Sequence, residues 1–489
     1  MLFDNSYARL PQRFYTRLNP TPVAAPGLIR VNGELARLLR IDPDWLASAE
    51  GTAVIAGNRI PAGADPIATV YAGFQFGGWV PQLGDGRAIL LGEVIGEDGV
   101  RYDIQLKGSG LTPYSRNGDG RAPLGPILRE YIVSEAMAAL GIPTSRVLAA
   151  VSSGEQVLRE RVEPGGLLVR VAQSHIRIGT FQFFAAQHDL EGLRLLADHV
   201  IQRHFPETAQ AANPYLAMLD CVIARQAELI ARWQLVGFIH GVMNTDNMLI
   251  SGETIDYGPC AFMDTYDPAT VFSSIDHNGR YAYGNQPGIA HWNLAGLAQV
   301  LLPLLEPDRE RALAAAQDSI DAFPDLYQGA YLQGMRTKLG LTGSSPDDPA
   351  LINDLLTIMA GEAADFTLTF RRLSELANSG QGAEPRLGGL FELPGGFTPW
   401  LSRWQKRLAV DNGEGKKAQA EMLSLNPAYI ARNHLVGEAI EAATMRQDFA
   451  PFHSLIDRLA RPFDYDPREA RYATPPRPDQ VVRQTFCGT

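Results

Sequence analysis

The chain has 489 residues, 45% hydrophobic and 20% charged, with 43 Lys and Arg against 54 Asp and Glu for a formal charge of −11. That composition excludes disorder over most of its length, and the size exceeds one ordinary domain of roughly 100–200 residues, so two or three packed units or one bilobal enzyme are expected. The negative balance argues against a general affinity for nucleic acid or anionic membrane, and three cysteines, Cys221, Cys260 and Cys487, are too few for a disulfide framework and fit a reducing compartment.

Met1–Pro20 lacks the apolar stretch of a secretory signal. The most apolar later stretch, Ala295 to Leu305, reads as too short to span a bilayer and carries Gln299, so a soluble cytoplasmic monomer is expected. The first 65 residues mix Pro, Gly and short helical patterns, including one at Leu35–Leu39. Ala88–Ile95 is a β-like run behind the turn signal Gly84-Asp85-Gly86, and Tyr102–Lys107 alternates as a half-buried strand that ends in lysine. A Gly- and Pro-containing loop is predicted from Gly108 to Pro126, then a helix over about Ile127–Leu140 closed by Gly141 and Pro143. Strands are predicted at Ser145–Val151 and Leu167–Ala172, and helices at Leu193–Phe205 and Tyr215–Val236. A loop carries His240 to Asn247, with short strand-like pieces at Met248–Ile250 and Thr254–Asp256. Helices resume at Asn293–Leu305 and Arg309–Ile320, while Ala377–Gly382 and Leu393–Gly396 read as mobile linkers. Strands first and helices after make an α+β chain with a small sheet-rich lobe and a large helical lobe.

Four features carry chemistry. Lys107 ends a strand and the next helix offers Glu130, with Glu135 as a competing partner; a buried lysine beside phosphates needs such a carboxylate, although a Lys and a Glu alone also read as a solvated pair. His240-Gly241-Val242-Met243-Asn244-Thr245-Asp246-Asn247 has the spacing of a kinase catalytic loop, with Val242 at the place of the catalytic aspartate and the carboxylate moved to Asp246. Asp256-Tyr257-Gly258 stands where D-F-G would be, so Asn247 and Asp256 offer oxygen ligands suited to Mg²⁺. Arg170 and Arg177 are guanidinium forks of the kind that grip phosphate, or else form ordinary salt bridges. Gly84-Asp85-Gly86-Arg87 and Asn117-Gly118-Asp119-Gly120-Arg121 read equally as simple turns or as backbone cradles for phosphate.

Together these motifs resemble the selenoprotein O family, also called YdiU-type proteins. The similarity runs from Asn5-Ser6-Tyr7-Ala8 and Phe74-Gln75-Phe76-Gly77 through Gln105–Arg116, Ser174–Arg177, His240–Met248 and Asp256–Pro259 to Trp292-Asn293-Leu294 and Asn426–Ile430. The resemblance implies a bilobal protein-kinase-like fold: an N-terminal extension (1–70), a β-rich N-lobe (71–185), a helical C-lobe (186–400) and a C-terminal helical extension (401–489). It implies transfer of AMP from ATP to Ser, Thr or Tyr hydroxyls of proteins, possible also for UMP, with ATP held in a flipped orientation and Mg²⁺ or Mn²⁺ as cofactor. Under that resemblance Lys107, Arg170 and Arg177 neutralise the inward phosphates, with Glu130 as the lysine's partner. Gly84, Gly86, Arg87, Asp119 and Gly120 contact nucleotide, Asn247 and Asp256 hold metal, and Asp246 accepts or orients the incoming hydroxyl. An Asp beside a cation has a lowered pKa, so orientation is expected to outweigh proton abstraction. Cys487 matches the family's cysteine-bearing tail and implies redox sensitivity, with Cys260 as a partner. A kinase that transfers the γ-phosphate and an inactive nucleotide-binding scaffold remain the alternatives.

Overall fold

The computed structural model describes residues 1–378, 391–411 and 415–486. Among them the strands are β1 (Tyr15–Arg17), β2 (Gly27–Val31), β3 (Ile67–Thr69), β4 (Gly73–Gln75), β5 (Gly78–Val80), β6 (Ala88–Ile95), β7 (Arg101–Lys107), β8 (Ala122–Pro123), β9 (Arg146–Leu158), β10 (Val162–Ala172), β11 (Phe238–Ile239) and β12 (Ala261–Phe262). The main sheet is antiparallel throughout, in the order β1-β3-β6-β7-β10-β9-β2, with β8 beside β10. Helices α1 (Gly33–Leu38), α2 (Pro43–Ala47) and α3 (Ala49–Ile55) lie in the N-terminal part, and α4 (Leu124–Ala139) crosses the sheet.

Period-2 alternation decides which side of this sheet does what. Ile104 and Leu106 of β7 and Leu167, Val169 and Val171 of β10 pack with α1 and α2 residues such as Leu35, Ala36 and Leu46. The residues between them, Asp103, Gln105 and Lys107 on β7 and Leu168 and Arg170 on β10, turn to the opposite face, where α4 packs on β9 and β10. The register sets Gln105 against Arg170 and Lys107 against Leu168. A strand pattern that looks half-polar is thus buried on both faces, with its charges enclosed.

The remainder is helical: α5 (Ile178–Ala186), α6 (Leu190–His204), α7 (Pro214–Leu235), α8 (Gln286–Leu305), α9 (Arg309–Asp321), α10 (Phe323–Lys338), α11 (Asp348–Gly361), α12 (Phe366–Leu376), α13 (Thr398–Asp411), α14 (Gly415–Leu425), α15 (Asn433–Arg446) and α16 (Ala450–Leu459). The class is α+β. One apolar core joins α4 to α5–α9, α15 and α16, and a second, containing the stacked Trp400 and Trp404, joins α10–α14.

Several local expectations change. The first 65 residues supply β1 and β2, edge strands too short and too exposed to show an alternating pattern. The loop after Lys107 is interrupted by β8, and α4 begins at Leu124; Pro126 lies in its first turn, where a missing N–H costs no helical bond. Met248–Ile250 and Thr254–Asp256 are not strands: Leu249 and Thr254 make only isolated bridges, to Arg177 and Thr144. The ladder there is β11 with β12, which flanks the His240–Asp256 region on both sides. The segment Tyr283–Leu305, with α8 as its body, is long and apolar enough to cross a membrane by length and composition, unlike the shorter stretch read from sequence. Here it packs against α5, α7 and α9 and buries Leu294, Leu297 and Leu301. Of the two linkers, residues 379–382 lie outside the described residues, and Leu393–Gly396 leads into a turn that buries Phe397.

Lys338, at the end of α10, is buried over the rings of Phe366 and Phe370, with no carboxylate in ion-pair reach among the described residues. Burial pushes its amine down from 10.5 to about 7. The unfolded chain therefore binds the proton more tightly, stability rises with pH between those values, and the full penalty applies below about 7. Lys338→Met is expected to raise the unfolding free energy by about 2 kcal/mol at pH 6, and by less at pH 9, in denaturant titrations at the two pH values.

Candidate active site

A cleft of about 720 Å³ opens between the charged face of the sheet and the His240–Asp256 region. Its floor is a network of three cations and two carboxylates. Lys107 Nζ pairs with Glu130, which lies on α4 facing the sheet. Arg170 reaches Glu130 at 2.6 Å and Asp256 Oδ1 at 2.7 Å, and Arg177 Nη1 donates to Asp256 Oδ2 at 2.7 Å. Lys107 stands 3.9 Å from Asp256. Glu135, five positions along α4, points elsewhere: it pairs with Arg146 at 2.6 Å and accepts from Asn32 at 2.8 Å.

Charge on these groups is set by a contest between burial and neighbours. Burial pushes the Asp256 carboxyl up, but Arg170, Arg177 and Lys107 outweigh it and hold the group well below the usual carboxylate range. Glu130 is lowered in the same way, burial being outweighed by Arg170 and Lys107. Burial lowers the Lys107 amine despite Glu130. Arg177 also lies over the Tyr71 ring at 4.6 Å. Asp256 has a φ of +62°, a left-handed backbone that a short polar side chain tolerates best, and this conformation aims its carboxylate at the two guanidinium groups.

The loop before it is braced from inside. His240 is fully buried, stacks on Trp233 and bonds through Nε2 with the Ile255 carbonyl at 2.8 Å. Val242, which the motif spacing sets at the position of a kinase's catalytic aspartate, lines the cleft. Asn247 Nδ2 donates to the Val242 carbonyl at 3.0 Å, which leaves Oδ1 as a lone-pair donor. Asp246 accepts from Gln75 Nε2 at 3.2 Å through Oδ2, while its Oδ1 is buried and makes no hydrogen bond. Burial, only partly opposed by Arg177, pushes this carboxyl up to about 6. Among the protein's own groups, enclosure outweighs the neighbouring Arg177.

Gly84, Gly86, Arg87, Asp119 and Gly120 all line the same cleft. Part of their pattern is explained by packing. Gly84 has a φ of +144°, and a Cβ there would lie 2.5 Å from the Tyr114 ring. Asp119 forms a two-pronged pair with Arg159 at 2.9 and 3.0 Å. Cys487 lies outside the described residues. Two residues earlier, Thr485 donates to the Pro259 carbonyl at 2.6 Å and bridges Ser273, so the tail reaches the segment that holds the buried Cys260.

The sequence reading missed the brace under Asp246. Thr245 Oγ1 accepts from the Phe74 N–H at 2.8 Å and donates to Gln182 Oε1 at 2.7 Å. The β4 backbone lies so close that a Cβ at Gly73 would be 2.5 Å from Asp246 Oδ1. The one available signal was the adjoining Phe74-Gln75-Phe76-Gly77, which carries part of the family resemblance but no chemistry of its own. The added methyl group must displace the Asp246 side chain, so Gly73→Ala is expected to lower activity by about 100-fold with a modest fall in melting temperature, measured by activity and thermal unfolding on one preparation.

A sequence profile described as "Protein adenylyltransferase SelO" matches residues 1–460. The chain is 60% identical over 491 residues to "Protein nucleotidyltransferase YdiU" of Rhodopseudomonas palustris (strain BisB5), covering 100% of this chain and 99% of that one. It is 60% identical over 493 residues to the protein of the same description from Methylorubrum extorquens, with the same coverage, and 58% identical over 487 residues to that of Nitrobacter winogradskyi, of which 96% is covered. Matches that run unbroken through the sheet, the cleft and the tail helices leave one assignment: the chain belongs to the SelO family of protein adenylyltransferases.

Proposed function

We propose that this protein transfers AMP from ATP to a Ser, Thr or Tyr hydroxyl of a protein, within a bilobal kinase-like fold that spans about residues 71–400 between N- and C-terminal extensions. The observation that carries this reading is the division of charge in the cleft: buried cations at Lys107, Arg170 and Arg177, no carboxylate at Val242, and a buried carboxylate of raised pKa at Asp246. Three cations against Glu130 and Asp256 leave one positive charge over, which favours polyphosphate on the floor and an α-phosphorus turned toward Asp246. Gly84, Gly86, Arg87, Asp119 and Gly120 would contact the rest of the nucleotide.

Asn247 Oδ1 and the ionised Asp256 are hard oxygen donors that line the same cleft, so they fit a Mg²⁺ or Mn²⁺ ion that takes its other ligands from phosphate and water. When bound, such an ion neutralises charge on the phosphates. The acceptor hydroxyl oxygen forms a bond to the α-phosphorus, and the bond from that phosphorus to the bridging oxygen breaks. Pyrophosphate leaves with the bond's electron pair, and the hydroxyl proton passes to Asp246. Lys107, Arg170 and Arg177 hold the departing pyrophosphate's charge. The tail contact of Thr485 supports a redox role for Cys487 toward the Cys260 segment. UTP in place of ATP would transfer UMP by the same chemistry.

ATP labelled separately at the α and γ positions tests the proposal. Retained α label on protein is the expected result. Retained γ label would make it a kinase, and no label with intact ATP binding a scaffold.

A further inference from the structure

A second cavity, of about 660 Å³, shares a wall with the nucleotide cleft. The wall is the β4–β5 hairpin. Phe74 and Trp79, a cross-strand pair, face the second cavity, whereas Gln75 and Phe76 line the nucleotide cleft. The cavity is mostly apolar, with Leu190, Leu193, Val300 and Pro303 on its other sides and His188, Asp189 and Gln299 as polar members of the lining. It lies one side chain from the reacting carboxylate: Gln182, in its lining, is the hydrogen-bond acceptor for Thr245, the residue before Asp246.

The aromatic row continues outward. Phe74 lies 4.9 Å from the Trp79 ring and 5.4 Å from Trp292, and the Arg280 guanidinium stacks on Trp292 at 4.9 Å. Trp79 and Trp292 are 39% and 42% exposed, an open position for the residue type most often found at the centre of a binding interface. Among the described residues the Arg280 guanidinium has no ion-pair partner, since the Asp276 carboxylate is taken by the Arg280 and Tyr281 backbone N–H groups at 2.9 and 2.8 Å. A hydrophobic hollow stands at one end of the row and a guanidinium without an ion-pair partner among the described residues at the other, with the β4–β5 hairpin that borders the nucleotide cleft between them.

Resting on the transferase reading above, we infer that this row is the acceptor-protein subsite: it receives an extended segment with a large apolar side chain in the cavity behind Phe74 and Trp79 and an acidic side chain on Arg280. The apolar residue and the acid lie on opposite sides of the modified hydroxyl. Continuity with Asp246 through Gln182 and Thr245, and the charge at Arg280, favour this occupant over a small apolar ligand or a second copy of the chain.

An oriented Ser/Thr/Tyr peptide library and α-labelled ATP, with the full-length protein, test it. The wild type is expected to select a large apolar residue on one side of the acceptor and Asp or Glu on the other. Trp79→Ala should erase the apolar preference and raise the KM for the selected peptide about tenfold, with the Kd for nucleotide within about twofold. Arg280→Glu should invert the acidic preference to Lys or Arg, a gain that a misfolded variant cannot give. Labelling without these preferences, or preferences that survive both substitutions, overturns the inference and leaves the transferase reading standing. Absence of α label from every peptide and from the protein itself overturns that reading, and the inference with it. A concentration-dependent dimer dissolved by Trp79→Ala, seen by light scattering, assigns the surface to self-association and likewise overturns it.

Discussion

Asp256→Asn is expected to abolish detectable α-label transfer, a loss of about 10³-fold or more, and to lower the melting temperature as well. Both effects have one origin. The Asp256 carboxylate receives Arg170 and Arg177 at 2.7 Å each and stands 3.9 Å from Lys107. A neutral amide leaves three buried cations facing Glu130 alone, and removing one partner of a buried ion pair costs roughly 3–5 kcal/mol. The same change replaces the anionic donor proposed for a divalent ion with a neutral, weaker one. The two consequences separate experimentally. Saturating nucleotide, whose phosphates replace the missing negative charge, should restore much of the melting temperature and none of the transfer. A variant that keeps even a tenth of wild-type labelling would place the metal site elsewhere.

Asp246→Asn should lower transfer by about 10²–10⁴-fold while the fold and the nucleotide affinity stay close to wild type. Its carboxylate belongs to no ion pair: one oxygen accepts from Gln75, and the other is buried without a partner. An amide of the same shape fills that space, so the change reaches the chemistry and spares the packing. Quantifying α label on the acceptor alongside a nucleotide titration checks both halves. Unchanged labelling with an intact Kd would remove Asp246 from the reaction.

Features governed by local spacing were legible in the sequence. Alternation in Tyr102–Lys107 marked a strand with Lys107 at its end, although the enclosure of its polar face came only from the structure, and the distance from His240 to Asn247 marked the loop with its carboxylate displaced to Asp246. Glu130, nearer the start of the helix, was also the expected partner of Lys107, and the pair forms; helix phase excludes Glu135, which lies five residues on, about 140° around the axis of α4, and meets Arg146 instead. Contacts between distant segments were hidden. Phe74 and Thr245 are 171 positions apart, and no pattern in either announces the other. β1 and β2 escaped because an edge strand of three to five partly exposed residues has no repeat to detect. The raised pKa of Asp246 also had to come from the structure, since a residue list shows the neighbouring cation but not the enclosure.

Thr485 ties the tail of the polypeptide to Pro259 and Phe272. During translation the Pro259 carbonyl must wait for a hydroxyl made 226 positions later. A product cut short before Thr485 would lack the stitch three residues from Asp256, so this edge of the cleft is completed only when the last residues have been made.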